Sequence, residues 1–159
     1  MNKYRYWKDI KDYPIVDGWL TARDGWKCKI GEGVKAGDGG AEVHYLVFIS
    51  DWARIGDGAR IGPFVDIGAW TMIGEEACLK EWAYICNGAS VGKRALIEAR
   101  VRVGEGSIVG GGAKIGAGAK VADGAIVGAR AQIEDRGIIE AGTTIKAGAK
   151  VRNITGETK

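Results

Sequence analysis

From Ile49 onward, one branched aliphatic residue recurs every six positions without a slip. The chain divides there into 18 consecutive hexads, beginning ISDWAR, IGDGAR, IGPFVD, IGAWTM and ending IKAGAK, VRNITG. All 18 first positions are Ile, Leu or Val, and the fifth is Ala, Ser, Thr or Val in 17, with Gly137 the exception. The fifth position and the next first position are two residues apart, the spacing at which alternate side chains of a strand share a face. A helix would need apolar residues at i, i+3 and i+4 sustained over successive turns, and glycine at this density would cost it about 1 kcal/mol per residue.

Glycine fills many of the positions between. The chain has 27 Gly and 2 Pro in 159 residues, far above the ordinary glycine share of about 7%. Collagen is excluded because Gly does not fall on every third residue, and disorder because 46% of residues are hydrophobic. Glycine concentrates at the second and fourth positions of the hexad, where a corner is expected to demand a positive φ. Each hexad then reads as one short strand and one corner, stacked in parallel on its neighbours.

This pattern resembles the hexapeptide repeat of left-handed parallel β-helix proteins, the superfamily of bacterial acyltransferases and γ-class carbonic anhydrases. The resemblance covers residues 49 to 156. It implies three hexads per triangular coil, hence six coils and a prism about 29 Å tall. Left-handedness comes from the resemblance alone, since parallel crossovers are otherwise right-handed. The fold expected is an all-β, left-handed parallel β-helix solenoid of about six to seven triangular coils with a short N-terminal cap.

With 18 residues per coil, Trp52 should lie over Trp70 and Phe64 over Trp82, giving aromatic ladders on two corners. Glu75/Lys93, Glu76/Arg94, Lys80/Glu98 and Glu134/Arg152 would be favourable neighbours, whereas Asp57/Glu75, Arg102/Lys120 and Glu105/Asp123 would be like-charged. Upstream, IGEGVK and AGDGGA continue the repeat, and Glu42 is one residue too many before VHYLVF. A seventh, imperfect coil with a bulge at Glu42 is expected. Residues 1–29 do not repeat and form the expected cap, with 30–156 the β-helix and 157–159 a tail. Tyr6, Trp7, Ile10 and Tyr13 are spaced as one side of a short helix ending before Pro14, a lid for the first coil.

A formal charge of +3, from 23 basic and 20 acidic residues, gives no electrostatic footprint for nucleic acid or an anionic membrane. The N-terminus has no apolar run preceding its charges and no later segment approaches a membrane span. The expected location is cytoplasmic, or the virion for a viral chain, with no secretion signal. Cys28, Cys78 and Cys86 are odd in number and lack CxxC spacing. They read as small apolar fillers in a reducing compartment, and no metal is expected.

His44 is the sole histidine. A γ-class carbonic anhydrase resemblance would require three around zinc, which excludes that activity. The acyltransferases of the superfamily use a histidine as general base toward the attacking hydroxyl or amine, with the acyl carrier in the groove between prisms of a trimer. His44, second in VHYLVF, is expected to point outward beside the bulge. The chain departs from that family pattern in three ways: no loop excursion interrupts the 18 hexads, Tyr45 rather than an acid follows His44, and no Gly-x-Pro-Ala segment stands near the C-terminus. The Gly-x-Gly runs belong to the repeat, since no GKS or GKT follows to make a phosphate loop.

All 13 aromatic residues lie between residues 4 and 84. Trp52, Phe64, Trp70, Trp82 and Tyr84 are candidates for partner or oligomer contact. Met72, Ser90, Ile108, Ile126 and Thr144, each sixth in its hexad, should line one edge of the prism, and the apolar members Met72, Ile108 and Ile126 suit a threefold interface. The leading functional expectation is therefore a homotrimeric structural or assembly module, within a larger protein assembly such as a virion, and without a cofactor. The second is an acyltransferase with His44 as general base and a coenzyme A or acyl-carrier-protein thioester as donor.

Overall fold

The structure is a computed structural model and describes residues 6–8, 15–16, 19–21, 27–30, 35–36, 42–44 and 46–152. Its 24 strands form three sheets of eight, nine and seven strands, and no helix occurs among the described residues. The chain visits the sheets in strict rotation. Arg60–Ile61 lies on face 1, Asp66–Ile67 on face 2 and Met72–Ile73 on face 3, and Cys78–Leu79 returns to face 1.

From Phe48 to Gln132–Ile133, each strand pairs in parallel with the one 18 residues further along, as in Asp66 with Tyr84 and Met72 with Ser90. The 18-residue coil is therefore the true repeat. The first-position aliphatics and fifth-position small residues turn inward and form one continuous core, from Val43 through Ile61, Ile97 and Ile133 to Val151. Burying one such side chain is worth about 1.5–3 kcal/mol. Among the described residues the two buried polar ones, Thr71 and Ser107, take fifth positions, and their hydroxyls donate to the second-position carbonyls of Gly68 and Gly104 at 3.0 and 2.7 Å.

The two glycine positions serve different ends. All 18 fourth positions from Leu46 to Gly148 have positive φ, glycine or not, including Trp52, Phe64, Trp70 and Trp82 at 59–62°. The second-position glycines, expected to share this need, do not. They are set by close approach: a Cβ on Gly56 would stand 2.5 Å from the amide nitrogen of Glu75 in the next coil.

The seventh coil exists, but its extra residue lies elsewhere than expected. Ala36 pairs with Ile55 and Val43 with Ile61, so seven residues separate the upper pair of positions where six separate the lower. Glu42 is itself in register, opposite Arg60. The insertion therefore falls in the corner between Ala36 and Glu42, outside the described residues.

The expected N-terminal helix is also corrected. Tyr6–Lys8 is a strand, antiparallel to Glu42–His44. Ile10 and Tyr13 lie outside the described residues. Ile15–Val16, Trp19–Thr21 and Lys27–Ile30 form an antiparallel run that leads onto face 2, where Lys29 and Ile30 pair in parallel with Phe48 and Ile49. The physical reason is hydrogen bonding: the edge of an uppermost coil presents unpaired amides and carbonyls, which a strand satisfies and a helix cannot.

Candidate functional site

His44 closes the strand Glu42–His44, which pairs with Arg60–Ile61 of the next coil on one side and with the N-terminal strand on the other, where His44 stands opposite Tyr6. Val43 before it is fully buried. His44 is half-buried, with Nδ1 shielded from solvent, rather than simply turned outward. Among the described residues no three His, Cys, Asp or Glu side chains come together to hold a metal ion.

The aromatic candidates assemble as the coil arithmetic requires. Trp52 and Trp70 stack at 5.5 Å between centroids with 13° between planes, on the corner joining faces 2 and 3. Phe64 and Trp82 stack at 4.3 Å and 5° on the corner joining faces 1 and 2. Trp52, Trp70 and Trp82 are exposed, and Phe64 is half-buried. Tyr84 stands exposed on face 2, with the Arg102 guanidinium 5.3 Å from its ring centroid. Lys120, of like charge, stands opposite Arg102 in the following coil, on the side away from Tyr84. Met72, Ile108 and Ile126 are exposed in line along face 3, with Ser90 between the first two.

The predicted ion pairs divide instructively. Glu75 with Lys93, Glu76 with Arg94, and Glu134 with Arg152 are formed. Arg94 makes a two-pronged contact to Glu76 at 2.8 and 3.1 Å, and this hydrogen bond holds the Glu76 carboxyl below its usual range. Lys80 and Glu98 do not pair as expected; Glu98 meets Lys114 at 3.8 Å instead. Glu105 and Asp123, expected only to repel, are linked: Asp123 accepts a hydrogen bond from the Glu105 backbone amide at 2.8 Å. Asn87 and Asp135 do the same for Ala69 and Ala117, so an Asn or Asp in the third position caps the corner of the preceding coil. Sequence reasoning had only scattered acids to work from there. Cys86 is buried and its thiol pKa is raised by that burial, whereas Cys78 stands half-buried on the outer side of face 1.

Two further groups escaped the sequence reading. Phe48 and Asp66 share the outward column of face 2 with Tyr84. Together with Leu46, Phe64, Trp82 and Tyr84 they line a recess of about 380 Å³ beside the Phe64–Trp82 stack. Burial pushes the Asp66 carboxyl pKa up. The signal was present in the hexads LVF, FVD and WAY, read from fourth to sixth position, but it needs the coil length to bring the three together.

Among solved structures, UDP-N-acetylglucosamine acyltransferase from Francisella novicida superposes with a TM-score of 0.69 at 23% identity, over 78% of this chain and 54% of that one. A variant of GDP-perosamine N-acetyltransferase from Caulobacter crescentus, in complex with CoA and GDP-perosamine, superposes at 0.51 and 20% identity, over 69% and 51%. The chain thus spans about half the length of these structures, and what it shares with them is the fold. No curated protein matches it. Residues 43–154 match the family model of the GMPPB C-terminal domain. That match takes in the β-helix from Val43 through its last described strand, and with it the chain belongs to the GMPPB C-terminal domain family, on the left-handed β-helix of the hexapeptide-repeat superfamily.

Proposed function

We propose that the chain forms the β-helical part of an acyltransferase, moving an acyl group from a coenzyme A or acyl-carrier-protein thioester to a hydroxyl or amine of a nucleotide-linked sugar. The solved structures it resembles support this over an assembly module: they are acyltransferases named for UDP-N-acetylglucosamine and for GDP-perosamine. The observation within this chain that carries the reading is the placement of its sole histidine, half-buried at the end of a β-helix strand with one ring nitrogen sheltered. An imidazole has an unperturbed pKa near neutrality, the range in which a base both accepts and returns a proton.

In this mechanism the acceptor oxygen or nitrogen attacks the thioester carbonyl while His44 takes its proton. The tetrahedral intermediate then collapses, the carbon–sulfur bond breaks, and the imidazolium returns the proton to the departing thiolate. The products are acylated sugar and free thiol. In this proposal the donor lies in a groove between prisms of a trimer.

The reading is tested by following thiol release from acetyl-coenzyme A in the presence of amino- and hydroxy-sugar nucleotides. His44→Ala should lower kcat by about 10²–10⁴-fold, with thermal melting retained. Thiol release that is absent across the panel, or unchanged in His44→Ala, would overturn it.

A further inference from the structure

The recess on face 2 is a grid of two columns and three coils. Leu46, Phe64 and Trp82 form the corner column, and Phe48, Asp66 and Tyr84 the strand column. Asp66 sits in the middle coil, and it is the single charged group among the lining residues. It is half-buried, and its carboxylate has no hydrogen-bond or ion-pair partner among the described residues. Its environment holds the carboxyl pKa above the ordinary value through desolvation alone.

A carboxylate that gives up solvent without gaining a partner weighs against the fold. Elsewhere in this chain third-position acids gain backbone partners, as Asp123 and Asp135 do. Asp66 points instead from a sixth position into an aromatic-walled hollow. What such a group lacks is a positive charge carried on an apolar body. Among the described side chains of the same column the nearest basic one, Arg102, is already laid over Tyr84.

We propose that this recess binds an organic ammonium ion, its charge met by Asp66 and its hydrocarbon part packed against Phe48 and Trp82. The inference stands apart from acyl transfer, because it uses neither His44 nor a thioester. Its basis is charge complementarity: one unpartnered negative group within a surface whose other lining side chains are uncharged. A neutral ligand of the same shape gains only the apolar contact.

The probe is cyclohexylammonium, set against its uncharged counterpart cyclohexanol, in NMR titrations of the full chain that follow the Trp82 indole and Tyr84 ring signals. Saturable binding of the amine in the millimolar range is expected, with cyclohexanol weaker by about tenfold or more. Asp66→Asn should remove the preference for the amine while retaining or raising the melting temperature. Equal binding of cyclohexanol, an unchanged preference in Asp66→Asn, or no saturation by the amine up to about 100 mM overturns the proposal. Because the comparison of the two probes is made on the unaltered chain, the outcome does not depend on the variant folding.

Discussion

The fourth residue of each hexad is held in the left-handed region whatever its side chain: Trp82 at 62°, Arg130 at 58° and Gly148 at 72° all adopt it. Each non-glycine there carries about 1–2 kcal/mol of strain, which the coil-to-coil hydrogen bond donated by the same residue helps to hold, as in Trp70 to the Asp51 carbonyl at 3.0 Å. The second-position glycines answer to space instead. These two causes give separable costs. Gly124→Ala, at φ 66° with nothing near the new methyl, should destabilise by about 1 kcal/mol. Gly110→Ala would put a Cβ 2.5 Å from the Ala129 amide nitrogen, so coils must part, and a loss of about 3 kcal/mol or more is expected in urea unfolding. Equal costs would refute the division. Asp66 gives a second prediction at this scale. Its folded pKa is raised, so the native state holds more protons than the unfolded state between the ordinary carboxyl value and the raised one. Its contribution therefore weakens the fold as pH rises through that window, and the deficit persists at neutral pH. Asp66→Asn should raise the denaturation midpoint at pH 7 and flatten this part of the pH profile.

Between coils, the elements communicate through columns 18 residues apart, and the strength of a column depends on its chemistry. The Trp52–Trp70 stack excludes water from between two large ring faces, and a double-mutant cycle with Trp52→Ala and Trp70→Ala should return a coupling of about 0.5–1.5 kcal/mol. The Glu134–Arg152 pair is exposed at both ends, and the same cycle there should give about 0–1 kcal/mol, falling with salt. A coupling for the ion pair larger than for the stack would contradict this ranking. The columns were legible in the sequence because a strict period converts spacing directly into adjacency: both aromatic ladders follow from it, and so do three of the four opposite-charge pairs. Glu98 departs because a long side chain chooses between neighbours, and Lys114 offers the contact formed. The N-terminal strand was illegible for a different reason. Tyr6 and Trp7 carry a helix-compatible spacing, and only the open edge of the first coil, a tertiary feature, makes a strand the better partner for Glu42–His44. The Asp66 recess was hidden in the same way, since its lining residues come from three hexads that touch only once the prism is wound.

For the whole molecule, the question is what the outer faces meet. A solenoid draws stability from each coil and its neighbours, so its faces are free to carry other work. Face 3 bears Met72, Ile108 and Ile126 exposed at 51%, 45% and 40%. They lie on one straight column, with Ile108 opposite Ile126. A row of apolar side chains on a flat parallel sheet is costly in water and suits a rotational interface in which each copy offers the same column. We therefore expect a homotrimer closed along this face, three copies of a 16.9 kDa chain. Ile108→Lys with Ile126→Lys would place two lysines on adjacent strands about 4.8 Å apart and facing their copies, where desolvation and repulsion both oppose closure. Light scattering coupled to size exclusion should then read the mass of one chain for the double variant and of three for the parent. The inward residues of those strands, Val109 and Val127, are untouched, so the coil should persist, and circular dichroism should keep its β signature. A parent that elutes as a single chain at micromolar concentration would remove face 3 as an interface. Acyl transfer is tied to the same result: if the donor lies between prisms, the lysine variant should lose turnover together with the trimer, even though His44 on face 1 is unchanged.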